Sequence, residues 1–209
     1  LTGDPKCRHR EINLSLNIAV CAKQVVDPDT PVSGFQVDSS ALRVIPAQGI
    51  PPVVNGYDEN AVEAALKIRE EIPDTTITII SVGSNFVMDV MKKTLSMGAD
   101  TMTLVDIGEK KIDAYGTAKI LSKVIDQTGN FDLIICGQQA SDWDNAHVPL
   151  GIAGMLPLVF KMMLETPLMY HQEEILQTLL GQPLMKLGVL LQMERQPTFL
   201  NGWMLRGPS

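Results

Sequence analysis

Three observations predict that this sequence folds as an α/β domain, an open and mostly parallel sheet with helices on both faces. Short apolar or β-branched runs alternate with amphipathic helical patterns over residues 17–137. The run TTITIISV at 75–82 is apolar or β-branched almost throughout, as a strand covered on both faces must be. Each run gives way to glycine or polar residues before the next helix, the pattern of strand–helix units joined by right-handed crossovers.

The bulk composition narrows the class. A chain of 209 residues fits one domain, and such a chain buries roughly 70% of its unfolded surface, enough to fold without disulfides or metal. Hydrophobic residues at 45% and charged residues at 20% are ordinary for a water-soluble domain. No apolar run approaches the ~20 residues of a membrane span. The net charge of −7, with no Lys/Arg cluster, argues against nucleic acid as a partner. Cys7, Cys21 and Cys136 form no C-x-x-C pair and are odd in number. Free thiols in a reducing compartment are expected. His9, His147 and His171 are too scattered to suggest a metal site. Residues 1–15 are polar and mixed in charge and read as an extension, residues 16–193 as the domain, and residues 194–209 as a C-terminal loop segment.

Residues 17–25 (NIAVCAKQV) predict the first strand, and DPDTP at 27–31 a turn. Residues 35–45 alternate imperfectly around Ser39-Ser40, which suggests a small hairpin beside the main sheet. Residues 46–54 hold three prolines and read as loop. A helix follows with Asp58 as its expected N-cap and Ala61, Ala65, Ile68 and Ile72 on one face. The strand at 75–82 ends at Gly83-Ser84. Residues 86–97 then place Val87, Met91 and Leu95 together, with Gly98 as the stop. Residues 101–107 predict a strand, residues 113–128 a helix with Ala114, Ala118, Leu121 and Ile125 on one face, and residues 133–136 a further strand. Residues 149–156 look helical, 173–180 suggest a short helix, 187–193 a strand and 196–209 a loop, while 158–170 carry no clean period.

The sequence lacks G-x-x-x-x-G-K-[ST], G-x-G-x-x-G and G-x-S-x-G, so it supports neither a P-loop, a standard dinucleotide fingerprint nor a hydrolase elbow. What it does contain is a convergence. In a parallel sheet the carboxyl ends of all strands share one edge, where ligands bind. Cys21-Ala22-Lys23, Val82-Gly83-Ser84 and residues 137–147 fall there, and residues 55–58 can approach it. Small residues such as Ala22, Gly83, Gly137 and Ala140 admit a flat base or a phosphate close to the backbone. The helix start near residues 146–150 suits phosphate, and Pro149 fits its first turn. Plainer readings stand beside these. Asp142 and Asp144 also suit Asx turns or a helix cap, and Lys23 either pairs with phosphate or is simply solvated. Trp143 is a lid over the loop or a contact for another chain, and Asn55 alone is often only a turn residue.

At these residues the sequence resembles the beta (small) subunit of electron transfer flavoprotein. The matching stretches are NIAVCAKQV (17–25), NGYDENAVEAAL (55–66), SMGAD (96–100) and GQQASDWDNAHVPLGIA (137–153). They follow the family's order and spacing and cover roughly residues 16–156, with a fainter echo in PLMKLGVLLQMERQPTFLNGWM near the end. The resemblance implies a Rossmann-like, adenine-nucleotide-binding domain that works as an electron carrier without catalytic residues of its own. It implies a heterodimer with an alpha subunit that carries or shares the FAD, with AMP or a second FAD in this chain and an acyl-CoA-type dehydrogenase as electron donor. Carried over position by position, the nucleotide pocket comprises Cys21, Asn55, Gly56, Tyr57, Asp58 and Val82. The loop adds Gly137, Gln138, Gln139, Ala140, Ser141 and Asp142, then Trp143, Asp144, Asn145, Ala146, His147 and Val148. A partner-docking loop is implied at Phe199, Leu200, Asn201, Gly202, Trp203 and Met204.

The sequence departs from the family pattern in places. Gly56 replaces a proline, Ser84 stands where proline usually follows the glycine, and His147 replaces a glutamine. Residues 157–182 match poorly, and neither the Lys-rich run nor the C-terminal arm of the family has a counterpart, so a divergent or truncated member is expected. The residues by themselves also fit an adenine-nucleotide-binding regulatory module of the same architecture acting as a homodimer. An ATP-dependent transferase would need a Gly/Ser phosphate loop after the first strand, where this chain has DPDTP.

Overall fold

The computed structural model describes residues 15–40, 43–45, 47–156, 161–164 and 189–193. Its central strand, β1 (Asn17–Cys21), is buried from Ile18 onward. On one side β1 pairs with β6 (Thr76–Gly83), which in turn pairs with β7 (Thr101–Asp106). On the other side it pairs with β8 (Leu133–Gly137), followed by β10 (Val189–Met193) and β9 (Lys161–Leu164). All these pairings are parallel, giving the order β7-β6-β1-β8-β10-β9. The chain builds outward from β1 to β7 and then returns to β1's other side. The reversal therefore falls between β1 and β8, where ligands of open α/β sheets bind.

The helices cover both faces, as the residue pattern predicts. Helix α1 (Gly56–Glu71) lays Ala61, Val62, Ala64, Ala65 and Ile68 on a core with Ile18, Val20, Ile77, Ile79, Leu133 and Ile135. Its small alanines let the helix axis approach the sheet closely, and full burial of each isoleucine contributes about 1.5–3 kcal/mol. Helix α2 (Met88–Met97) joins the same face through Leu95 and Met97. The opposite face carries α3 (Ala114–Thr128) and α4 (His147–Met155), whose Ala118, Leu121, Ile125 and Ile152 pack with Ala19, Cys21, Ile80, Ile134 and Cys136. Alternate residues of β1 thus feed opposite cores, the period of a strand covered on both sides.

Several local expectations need correction. The run at 17–25 is not one strand: it breaks at Ala22-Lys23, and Gln24–Val25 forms a separate β2. The cause is that the Lys23 backbone is committed elsewhere, its N–H to the Asp58 carboxylate and its carbonyl to the Asn55 N–H. β2 pairs antiparallel with β5 (Val53–Val54), inside the stretch expected to be loop. That ladder begins only after Pro52, past the last proline, so no missing N–H interrupts it. Asp58 is not the cap of α1. Asn55 holds the N-cap position, and Asp58 lies buried in the first turn. Helix α2 starts two residues later than expected because Asn85 takes a positive φ of 52° and the Val87 N–H goes to the Gln24 side chain. Helix α4 starts two residues earlier, at His147, placing Pro149 in its first turn.

Other expectations match. The hairpin is present as β3 (Gln36–Asp38) paired with β4 (Arg43–Ile45). The helix expected at 113–128 is α3, and the structure adds that Asp113 is its N-cap, accepting from the Gly116 N–H. Gly98 ends α2 with φ 129°, and a Cβ there would meet Leu66 at 3.0 Å. The SMGAD stretch is structural: Asp100 accepts from the Ile77 N–H and pairs with Arg69 of α1 at 3.3 Å. The expected strand at 187–193 corresponds to β10, whereas the helix at 173–180 and the loop at 196–209 lie outside the described residues.

Candidate functional site

At the carboxyl edge of β1, β6 and β8 the sheet opens into a cavity of about 880 Å3. It lies at the point where the strand order reverses, and its size falls within the roughly 300–1,000 Å3 of small-molecule sites.

Gly137 makes the geometry possible. It ends β8 directly against the first turn of α1, where a Cβ would stand 2.7 Å from the Tyr57 carbonyl carbon and 2.9 Å from the Asp58 N. Only a residue without a side chain lets that helix start reach the sheet edge. Asn55 then ties the helix to the loop that follows β8. Its amide donates to the Gln139 carbonyl at 2.8 Å, and its carbonyl oxygen accepts from the Ser141 N–H at 3.2 Å. Asn55 is 1% exposed, so its amide is withdrawn from water and would be costly to leave unpaired, while its partners on the loop are only partly buried.

Asp58 is buried beside this junction and accepts from the Lys23 N–H at 2.8 Å. Burial pushes its carboxyl up to about 7, against the lowering effect of hydrogen bonds from Asn55, Lys23 and Gly137 and of the Lys23 charge. Asp58 therefore titrates near neutrality at the cavity wall.

The loop over the cavity is folded by its own polar groups. Asp144 has φ 53°, receives the Gln139 amide and sends its N–H to the Ala140 carbonyl at 2.7 Å. The Gln139 amide also reaches the Tyr57 hydroxyl at 3.3 Å. The Asn145 side chain accepts from the His147 N–H at 3.3 Å, so that N–H of the α4 start is already engaged. Lys23 Nζ pairs with Asp142 at 2.6 Å, bridging the end of β1 and the loop. Asp142 thus makes an ion pair with Lys23, and Asp144 has the turn role that the plainer reading allowed.

Of the residues singled out from sequence, Cys21, Asn55, Asp58, Val82, Gly137, Gln139, Ala140, Trp143, Asn145, His147 and Val148 line the cavity. Gly56, Tyr57, Gln138, Ser141, Asp142, Asp144 and Ala146 are not in its lining, although Tyr57, Ser141, Asp142 and Asp144 brace the loop through the contacts above. Trp143 is 76% exposed, at the rim. Phe199, Leu200, Asn201, Gly202, Trp203 and Met204 lie outside the described residues. The sequence reading missed one wall, made by Ile107, Ile112, Asp113, Tyr115, Thr117 and Leu121 between β7 and α3. The signal was available: β7 ends on the same sheet edge as its neighbours. Among the described residues no cluster of three or more His, Cys, Asp or Glu could hold a metal, and no helix is long and apolar enough to cross a membrane.

A doubly wound α/β domain with a ligand cavity at its switch point is the class that fold and site define. Residues 43–158, more than half of the chain, match the family model described as electron transfer flavoprotein domain. The chain is 38% identical over 144 residues to the electron transfer flavoprotein subunit beta of Thermoanaerobacterium thermosaccharolyticum, covering 68% of this chain and 53% of that protein. It is 37% identical over 147 residues to the subunit of that name from Megasphaera elsdenii, covering 66% and 52% respectively. It is 35% identical over 144 residues to the caffeyl-CoA reductase-Etf complex subunit CarD of Acetobacterium woodii, covering 68% and 53%. The chain belongs to the electron transfer flavoprotein family and is of the beta-subunit type. It spans about half the length of the curated relatives it matches.

Proposed function

We propose that this chain acts as the beta subunit of an electron transfer flavoprotein, an electron carrier that binds an adenine nucleotide in the switch-point cavity. In this reading it pairs with an alpha-type subunit bearing FAD, receives electrons from an acyl-CoA-type dehydrogenase, and has no acid, base or nucleophile of its own in the reaction. The observation that carries the reading is the cavity itself. It opens at the strand-order reversal, and residues of three of the matched motif stretches (17–25, 55–66 and 137–153) form part of its wall.

The walls fit such a ligand. Val82, Ile107, Ile112 and Leu121 offer an apolar slot for a base, and Ala22, Gly83 and Ala140 leave its faces uncrowded. Asn55, Asp58, Gln139 and Asn145 line the same space with amide and carboxyl groups that suit ring nitrogens and sugar hydroxyls. Lys23 and the N-terminal end of α4 supply the positive potential a phosphate needs. The nucleotide is AMP or the adenylate portion of a second FAD. A flavin, where bound, supplies the electron-accepting ring, and this chain's part is to orient it and keep water from it.

The test is purification with a co-expressed alpha-type partner, followed by heat release and chromatography of the bound nucleotides. The expected result is one adenine nucleotide per copy of this chain in addition to the partner's FAD. One flavin per heterodimer assigns AMP to this chain, and two assign FAD. No released nucleotide, together with no heat of AMP binding to the purified chain, would overturn the proposal.

A further inference from the structure

Two cysteines lie side by side under the cavity, and the proposed function uses the thiol chemistry of neither. Cys21 closes β1, Cys136 is the penultimate residue of β8, and the two are register partners in a parallel pair. Partners on neighbouring strands point to the same face of a sheet. Both side chains pack in the same core and both line the cavity. Both are free thiols. Neighbouring strands stand about 4.8 Å apart, inside the roughly 4.4–6.8 Å between Cα atoms that a disulfide spans.

We propose that Cys21 and Cys136 form a vicinal dithiol that a hydroperoxide closes to an intramolecular disulfide at the cavity floor. Cys21 is 8% exposed against 3% for Cys136, so it meets a small oxidant first. Its thiolate sulfur takes one peroxide oxygen as the O–O bond breaks, and the departing hydroxide takes up the proton. The product is a sulfenic acid. The Cys136 sulfur then attacks the Cys21 sulfur. The S–S bond forms, the S–O bond breaks, and the oxygen leaves as water with the Cys136 proton. In sum, two thiols lose two electrons and hydrogen peroxide becomes two waters.

The surroundings set the rate. The Cys136 thiol is pushed up by its hydrogen bond with Cys21 and by burial. The Cys136 thiolate is therefore scarce at neutral pH, and the S–S-forming step, in which its sulfur attacks, quickens in mildly alkaline solution. Thiol exchange with an added dithiol reductant breaks the S–S bond again, which makes the modification reversible. Because both residues line the cavity, closure changes the floor that any ligand meets.

Cys7 lies outside the described residues, so the test uses the full chain carrying Cys7→Ser, in which Cys21 and Cys136 are the remaining thiols. The native protein is exposed to hydrogen peroxide in mildly alkaline buffer and followed by thiol titration, intact mass and peptide mapping. The expected result is joint loss of both thiols, loss of two hydrogens in mass, recovery of the Cys21 and Cys136 peptides as one linked species, and return of both thiols with dithiothreitol. With Cys136→Ala added, oxidation is expected to stop at a sulfenic acid on Cys21 that a dimedone probe captures. Oxygen adducts without the link, links only between molecules, or two intact thiols after the same exposure would each overturn the proposal.

Discussion

Gly137 and Asp58 are packed so closely that the turn after β8 and the first turn of α1 share one space. A Cβ on Gly137 would intrude on the Asp58 carboxylate and on the backbone of residues 57 and 58. Backbone cannot move aside as the end of a side chain can. Gly137→Ala is therefore expected to destabilise the domain by about 2–3 kcal/mol, the upper part of the overpacking range. Gly154→Ala, in α4 with nothing within 4 Å of its Cβ, is the matched control. It should be neutral or stabilising by up to about 1 kcal/mol. Urea unfolding of the two variants side by side checks both values.

The buried carboxyl of Asp58 makes stability depend on pH in a definite direction. Its folded value is raised from 3.8 to about 7, so between those limits the folded state holds a proton that the unfolded state has released. Stability contributed by this site is thus complete at the acid end and falls as pH rises to about 7, by about 1.4 kcal/mol per pH unit at most. Asp58→Asn removes the titration, and the slope of unfolding free energy between pH 4.5 and 7 (about the window just named) should flatten. An unchanged slope in the variant would show that other groups set it.

Asn55 anchors the loop through two partly buried hydrogen bonds. Asn55→Ala leaves the carbonyl of residue 139 and the N–H of residue 141 without those partners, at about 1–3 kcal/mol for each group that stays dry. The expected outcome is faster hydrogen exchange across residues 139–146 with the β1–β6 amides unchanged. Uniformly faster exchange throughout the sheet would mean that Asn55 supports the whole core and not the loop alone.

Lys23 is held by Asp142, and a phosphate in the cavity would compete for the same ammonium. The pair is partly exposed and contributes at most about 1 kcal/mol to stability. Under the proposed function, Lys23→Ala should weaken AMP binding about tenfold, as loss of one charged hydrogen bond does. Asp142→Asn should leave affinity equal or tighter, because it frees the lysine. Calorimetric titration at two salt concentrations tests this, since the Lys23 contribution should shrink as salt rises.

The fold was readable because its signals are local. Strands β6 and β8 announce themselves by residues that are apolar or β-branched almost throughout, and α1 and α3 by small and branched residues at helical spacing. What escaped the sequence depended on contacts between distant segments. The break after Ala22 requires knowing that Asp58 captures the Lys23 N–H, 35 residues away. The true N-cap of α1 requires knowing that Asn55 is spent on residues 139 and 141. The wall from Ile107 to Leu121 follows from topology alone and could have been inferred once β7 was placed at the sheet's end. The place of the site, at the carboxyl edge of the sheet, was legible. The division of its polar residues into those facing the cavity and those bracing the loop was not, because side-chain direction in a loop has no period to read.

The matched cysteines Cys21 and Cys136 also report on how the strands are aligned. Sliding β8 by one residue against β1 would turn its side chains to the opposite face of the sheet. Cys136 would leave the cavity, and Gly137 would no longer meet the start of α1. A misaligned chain could then bury a similar amount of apolar surface while offering no site at all. The ligand edge is in that sense a proofreading device, intact only when the strand alignment deep in the core is correct.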